Sequence, residues 1–172
     1  MSPLRSNYVP ERNPRIEMSR TEMILELIAL LGLIFQGIVL IKWWHQLPAV
    51  VPTHFGANGL PDAWGAKSSL FLLPAIAVGL YIILSAASRY PALYNYPVRI
   101  TKENYHAQYV LARSLLYFLK TEIIWIFACI NYLTLLTALG IRSGLGILFM
   151  PITMVIIFAT IGIYFSQAFQ NR

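Results

Sequence analysis

Four apolar runs, each about the length of a membrane-crossing helix, constrain this chain more than anything else in it. The first extends from Met23 to Trp44 and is interrupted only by Glu26, Gln36 and Lys42. At about 1.5 Å per residue it reaches roughly 33 Å, enough to cross a hydrocarbon core. The second extends from about Leu70 to Tyr90, with Pro74 in its first turn, where a missing amide costs least. The third is placed at about Leu115 to Leu139, with Lys120 and Glu122 at a headgroup boundary where the lysine stem can snorkel. The fourth, at about Gly144 to Phe165, carries Pro151 two turns in, which predicts a kink. With 58% hydrophobic and 12% charged residues, the 172-residue chain has too little polar surface for a soluble coat. The expected fold is an all-α membrane protein, a four-transmembrane-helix bundle with a structured extracytoplasmic loop between its first two helices.

Orientation follows from the basic residues. Arg5, Arg12, Arg15 and Arg20 precede the first run, Arg89, Arg99, Lys102 and Arg113 separate the second from the third, and Arg172 ends the chain. The other side holds only Lys42, Lys67 and Arg142. By the positive-inside rule both termini are cytoplasmic, and Trp43, Trp44 and Trp64 fall at the outer interface. The net charge of +6 then reads as topology and contact with anionic lipid. No nucleic-acid motif is present, so the bilayer is the expected partner.

Residues 1–22 read as a polar cytoplasmic arm with Pro3, Pro10 and Pro14, and residues 23–172 as the membrane domain. The first apolar run starts too late and is too long for a signal-peptide core, so it is expected to be a retained anchor. The single Cys129, inside the third run, excludes an internal disulfide framework and reads as a small packing residue. Leu70 to Val78 and Ile147 to Val155 share an apolar pattern with a proline and a final valine. Two repeated helix pairs would produce this, but chance among low-diversity apolar segments is the simpler cause.

The segment from Leu47 to Gly65 cannot be helical, because Pro48, Pro52 and Pro61 fix φ and remove donors while Gly56, Gly59 and Gly65 permit turns. Val50, Val51, Thr53 and Phe55 favour a strand, Ala57-Asn58-Gly59 a reversal, and Leu60-Pro61-Asp62 a second turn. A short hairpin or compact cap is predicted. The run Leu47-Pro48, Pro52-Thr53-His54-Phe55, then Gly59-Leu60-Pro61-Asp62, Trp64-Gly65, Lys67 and Leu72-Leu73-Pro74 strongly resembles the domain of unknown function 1648 found in SdpI-type membrane proteins. The likeness covers 47–74 closely, the loop and the start of the second helix. It implies a bacterial, multi-pass protein of the inner (plasma) membrane. The best understood relatives are immunity proteins that protect a cell from its own toxic peptide and signal its presence by holding a repressor at the membrane. Those relatives have more than four spans.

The candidate ligand or structural residues of the loop are Pro52, His54, Phe55, Gly59, Pro61, Asp62, Trp64 and Gly65. His54 is the sharpest: with His45 and Asp62 it has the residue types of a metal site, yet the spacing fits no metal motif. No metal or cofactor is therefore assigned, and the structural alternative has His54 bonding loop backbone and Asp62 capping a turn. The intramembrane polar candidates are Glu26, Gln36, Lys120, Glu122 and Asn131. Charges at that depth must be paired or snorkel outward, so Glu26 and Lys120 are expected either to meet or to reach the headgroups separately. Gln36 and Asn131 are expected to bond each other. His106 reads as interfacial.

No catalytic constellation is visible, and the chain is not expected to be an enzyme. The leading reading is immunity or signalling against a toxic peptide or membrane stress, with the loop engaging a peptide or protein. A small transporter or channel, as a homo-oligomer, is the alternative, and an outward-facing metal-dependent enzyme the third.

Overall fold

The structure, a computed structural model, describes residues 16–172. The arm's first fifteen residues, with Arg5, Arg12 and Arg15, lie outside the described residues. The elements in order are α1 (Arg20–Trp43), β1 (Val50–Phe55), β2 (Pro61–Ala66), a 3-10 turn (Lys67–Phe71), α2 (Leu72–Ala87), α3 (Tyr105–Ala138) and α4 (Phe149–Gln170). Four helical segments among the described residues are long and apolar enough to cross a membrane. The protein is a multi-pass, mostly helical membrane protein with one small antiparallel sheet.

Helix boundaries follow local chemistry more than hydropathy. The arm was expected to run to residue 22, but α1 starts at Arg20 because Ser19 caps it. The Ser19 side chain accepts from the Glu22 amide at 3.1 Å, and the Glu22 carboxylate accepts from the Ser19 amide at 2.8 Å. The third helix was expected near Leu115 and instead starts at Tyr105, after a turn in which Asn104 accepts from the Thr101 amide at 2.8 Å. Its added turns are semi-polar, and they bury Gln108, Tyr109, Ala112 and Arg113 against protein, so lipid-scale hydropathy does not register them. Over its 34 residues α3 reaches about 51 Å, longer than a hydrocarbon core. The fourth helix begins five residues later than expected, and Pro151 falls at its third position. The amide it lacks has no intrahelical partner there, which removes the reason for the predicted kink. Pro74 occupies the same position of α2, so local helix-start chemistry accounts for the sequence echo.

The long helix α3 is the hub. Helices α1 and α2 pack on it and on each other, while α4 packs against α3 and leaves most of its sides for lipid. One core layer joins Leu40, Leu47, Val51, Leu70 and Leu135 beneath the hairpin. A second joins Ala29, Ala77 and Ile124 at mid-height. The chain reversals sort into two ends. The hairpin and the α3–α4 loop meet at one end, where the Leu145 amide donates to the Gly59 carbonyl at 2.8 Å. Gly59 (φ 75°) permits this, since a Cβ there would collide with the Gly146 backbone. At the opposite end Gln108 donates to the Ala168 and Asn171 carbonyls at 2.9 and 3.0 Å and ties down the last turn of α4. The α2–α3 connection lies at this end too. There Tyr94 donates to the Ala87 carbonyl at 2.8 Å, and Tyr94, Tyr96 and Tyr109 stack in series. Burial pushes the Tyr94 phenol up to about 12.

Candidate functional site

At the hairpin end, β1 and β2 pair antiparallel, with Val50 opposite Ala66 and Phe55 opposite Pro61. The turn between them is held by the Gly56 amide donating to Leu60 O, Gly59 to Gly56 O, and Leu60 to the Asn58 side chain at 3.0 Å. The pairing is irregular on either side of His54, as in a bulge, which re-aims side chains. His54 Nδ1 lies 2.5 Å from Asp62 Oδ1, and both side chains are exposed. This differs from the structural expectation for the pair: they bond each other, while the turn's amides are met by backbone carbonyls and, at Leu60, by the Asn58 side chain.

Behind this pair, a cleft of about 330 Å³ separates the hairpin from the helices. His54 and Phe55 from β1, Leu70 before α2, Asn131 and Thr134 from α3, and Met150 from α4 line it. Trp64 is half exposed on the hairpin, and Trp44 stacks near Phe71 with the Lys67 ammonium 4.7 Å above its ring. Pro52 is buried against Trp64's strand, and a Cβ on Gly65 would press on Thr53. His45 lines a separate hollow with Trp44 and Phe71, so the structure unites His54 with Asp62 and leaves His45 apart. Among the described residues, no three His, Cys, Asp or Glu side chains are grouped to hold a metal ion.

The charges of the helical layer occupy the other half. Glu26 receives Lys120 Nζ at 2.5 Å and the Tyr81 hydroxyl, and Lys120 also donates to Ser85 Oγ at 2.9 Å. The ammonium lies 4.9 Å from the Tyr81 ring and 4.5 Å from the Tyr117 ring. Burial with this many partners replaces snorkelling. One level nearer the chain ends, Arg113 grips Glu22 through Nε at 2.9 Å and Nη2 at 2.8 Å. The same guanidinium donates to the Ile16 and Glu17 carbonyls, each at 2.6 Å, and so fastens the chain entering α1. This second pair was not foreseen: Arg113 was counted as a topology signal and Glu22 as arm. Its legible trace was the capping box Ser19-Arg20-Thr21-Glu22.

Gln36 and Asn131 do not bond each other. Gln36 donates weakly to the Gly32 and Ile124 carbonyls, at 3.4 and 3.5 Å, and Asn131 to Leu70 O at 3.4 Å. The acceptors are instead the backbone carbonyls of Gly32, Ile124 and Leu70. Nor do Gln36, Asn131, Thr134 and Ser85 line one path, because Ala29, Ala77 and Ile124 form an apolar layer below Asn131 and above Ser85. Glu122, expected at a headgroup boundary, faces α4 and accepts from Thr160 Oγ1 at 2.5 Å. Its other oxygen, Oε2, is buried with no partner among the described residues. Cys129 is exposed on the surface of α3 rather than packed. His106 stands edge-on to Tyr105 at the connection end.

Residues 31–78 match the family model of the domain of unknown function DUF1648, which occurs in SdpI-type membrane proteins. The matched stretch is the second half of α1, the hairpin and the first half of α2. An uncharacterized protein of Archaeoglobus fulgidus is 42% identical over 62 residues, covering 31% of this chain and 34% of the relative. The chain thus matches about a third of that relative's length. No solved structure matches.

Proposed function

We propose that this chain senses a peptide or membrane-active agent at the hairpin end and relays its presence to the opposite end, in the manner of SdpI-type immunity and signalling proteins. The observation that carries the reading is the cleft beneath the hairpin, with His54 and Phe55 on one wall and α3 on the other. Its position on α3 gives the relay a physical route. Val51 packs with Leu135, and Asn131 bonds the start of α2, so displacement of the hairpin bears on α3. The same unbroken helix carries Arg113 toward its other end, and Arg113 holds the chain at Ile16 and Glu17. A partner at the basic arm would register the shift.

The distribution of Lys and Arg supports a reading with the hairpin outside the cytoplasm and both termini inside, in a bacterial inner (plasma) membrane. A small oligomeric transporter or channel is the second reading, supported by the buried Glu26, Lys120, Tyr81 and Ser85 cluster. The apolar layer of Ala29, Ala77 and Ile124 between that cluster and the cleft favours the first. Cells lacking the gene should become sensitive to an antimicrobial peptide. Complementation by the parent should restore resistance, while His54→Ala and Asp62→Ala should not. In a Cys129→Ser background, Asn58→Cys should react with a membrane-impermeant maleimide on intact cells. Altered ion or pH tolerance with unchanged peptide sensitivity would favour transport instead.

A further inference from the structure

We infer that β2 is a docking edge, which takes an extended peptide segment as the third strand of the sheet, with an apolar residue beside Trp64 and a basic residue beside Asp62. The inference rests on the peptide-sensing reading of the hairpin and specifies how the peptide is held. The sheet has two strands; β1 lies against α3, whereas the substantial neighbour of β2 among the described residues is β1 alone. The outer edge of β2 is therefore open. The ladder sets which groups it presents. The Lys67 amide donates to the Ala49 carbonyl at 3.0 Å, so Lys67 points toward β1. Successive peptide groups of a strand alternate, so Ala66 points inward no more than Lys67 points outward, and Ala66 and Trp64 have opposite bonding directions to Gly65 and Lys67. Pro52, opposite Trp64, has no amide to exchange and agrees with this parity. The edge thus offers the Ala66 amide together with the amide and carbonyl of Trp64.

Backbone groups select the class of occupant, and side chains select its sequence. Donors and acceptors alternating at strand spacing are complementary to another extended polypeptide. Exposed edges are usually blunted by charge or proline. Here such guards stand at the two ends, Pro61 with Asp62 and then Lys67, and leave Ala63, Trp64, Gly65 and Ala66 uncharged between them. Trp64 keeps 55% of its surface exposed within that stretch. Asp62 and Trp64 are two residues apart and share one face of β2. Asp62 is the one acidic side chain in 44–71 and in 139–148, and it stays exposed despite its bond to His54. Charge complementarity therefore puts a basic side chain opposite Asp62. In antiparallel addition it falls two residues after the side chain opposite Trp64.

The test is fluorescence anisotropy on the purified full chain in detergent, with labelled acetyl-Thr-Val-Thr-Val-Thr-Lys-amide as the probe. Its valine amides turn toward β2 and its threonine amides away. N-methylation of both valines should weaken binding by about tenfold or more, whereas N-methylation of the two inner threonines should leave it within about threefold. Ala66→Pro, at a position whose φ of −62° suits proline, removes one edge donor and should weaken the probe with no change in unfolding temperature. Exchanging the probe's lysine for glutamate should weaken binding to the parent and make no difference on Asp62→Asn. Absence of binding, or equal binding of the two methylated isomers, would overturn the edge. A dimer of the parent that Ala66→Pro dissociates would overturn it too, by assigning the edge to a second copy. Peptide resistance in cells beside equal binding of the isomers would sink only the third-strand pairing. Discrimination between the isomers without any resistance phenotype would support the pairing and sink the sensing reading.

Discussion

The seam between α1 and α3 and the seam between α3 and α4 are built from the same kinds of residues and solve burial in opposite ways. In the first, both acids meet cations: Glu22 with Arg113 and Glu26 with Lys120. Small residues let the helices close around them, with Gly32 against Ile124 and Trp125, and Ala29 fully buried. Trp125 adds a bond to the Ile28 carbonyl at 2.9 Å. In the second, Glu122 meets Thr160, one carboxyl oxygen has no partner, and cavities lie on both sides. The lesson is that intramembrane charge is not one category. Charges with dedicated cationic partners are consumed by structure, whereas Glu122 has only a neutral hydroxyl.

The largest expected effect that would break this comparison is at Arg113. Arg113→Ala leaves Glu22 buried without its cation and releases two backbone carbonyls, and should cost about 3–5 kcal/mol in thermal unfolding in detergent. A loss under about 1 kcal/mol would show that water already reaches the pair. Next comes the Glu26 and Lys120 pair. Glu26→Lys and Lys120→Glu should each abolish accumulation in the membrane, and the double exchange should recover a substantial part of it. Failure of rescue would mean that Tyr81 and Ser85, rather than the opposite charge, set the requirement. Smaller again is Gly32→Val. A Cβ at Gly32 would approach Ile124 Cγ2 at 2.8 Å, and overpacking of this kind should cost about 1–3 kcal/mol. Thr160→Val on the other seam, which removes one hydrogen bond, should cost no more than about 1.5 kcal/mol.

How much of this was legible in the sequence depends on the range of the interaction. The four spans follow from apolar runs, and the hairpin follows from Pro52, Asn58, Gly59 and Pro61, because turn chemistry is local. The boundaries of α3 and α4 do not, since Gln108, Tyr109 and Arg113 are held by distant parts of the chain and hydropathy sees only lipid. Glu22 is the instructive case. Its capping box is written in four consecutive residues, but its cation lies 91 residues away. At the candidate sites the sequence names His54 and Asp62, but the cleft behind them depends on Asn131, Thr134 and Met150, brought there only by packing. Gln36 and Asn131 sit at similar depth, yet which acceptor each finds is decided by helix rotation, which depth does not determine. The Thr160 partner of Glu122 carries no sequence signal at all, because it rests on the rotation of two helices about their axes.

The most direct measurement of the central claim is the thermal stability of Glu22→Gln beside that of Glu122→Gln, both isosteric and both in the same detergent. The account predicts a loss of about 3–5 kcal/mol for the first, where a buried guanidinium loses its counter-charge. It predicts a change within about 0.5 kcal/mol for the second, where no cation is left behind. Equal losses at the two positions would contradict the account, because they would mean that Glu122 too is consumed in holding the fold.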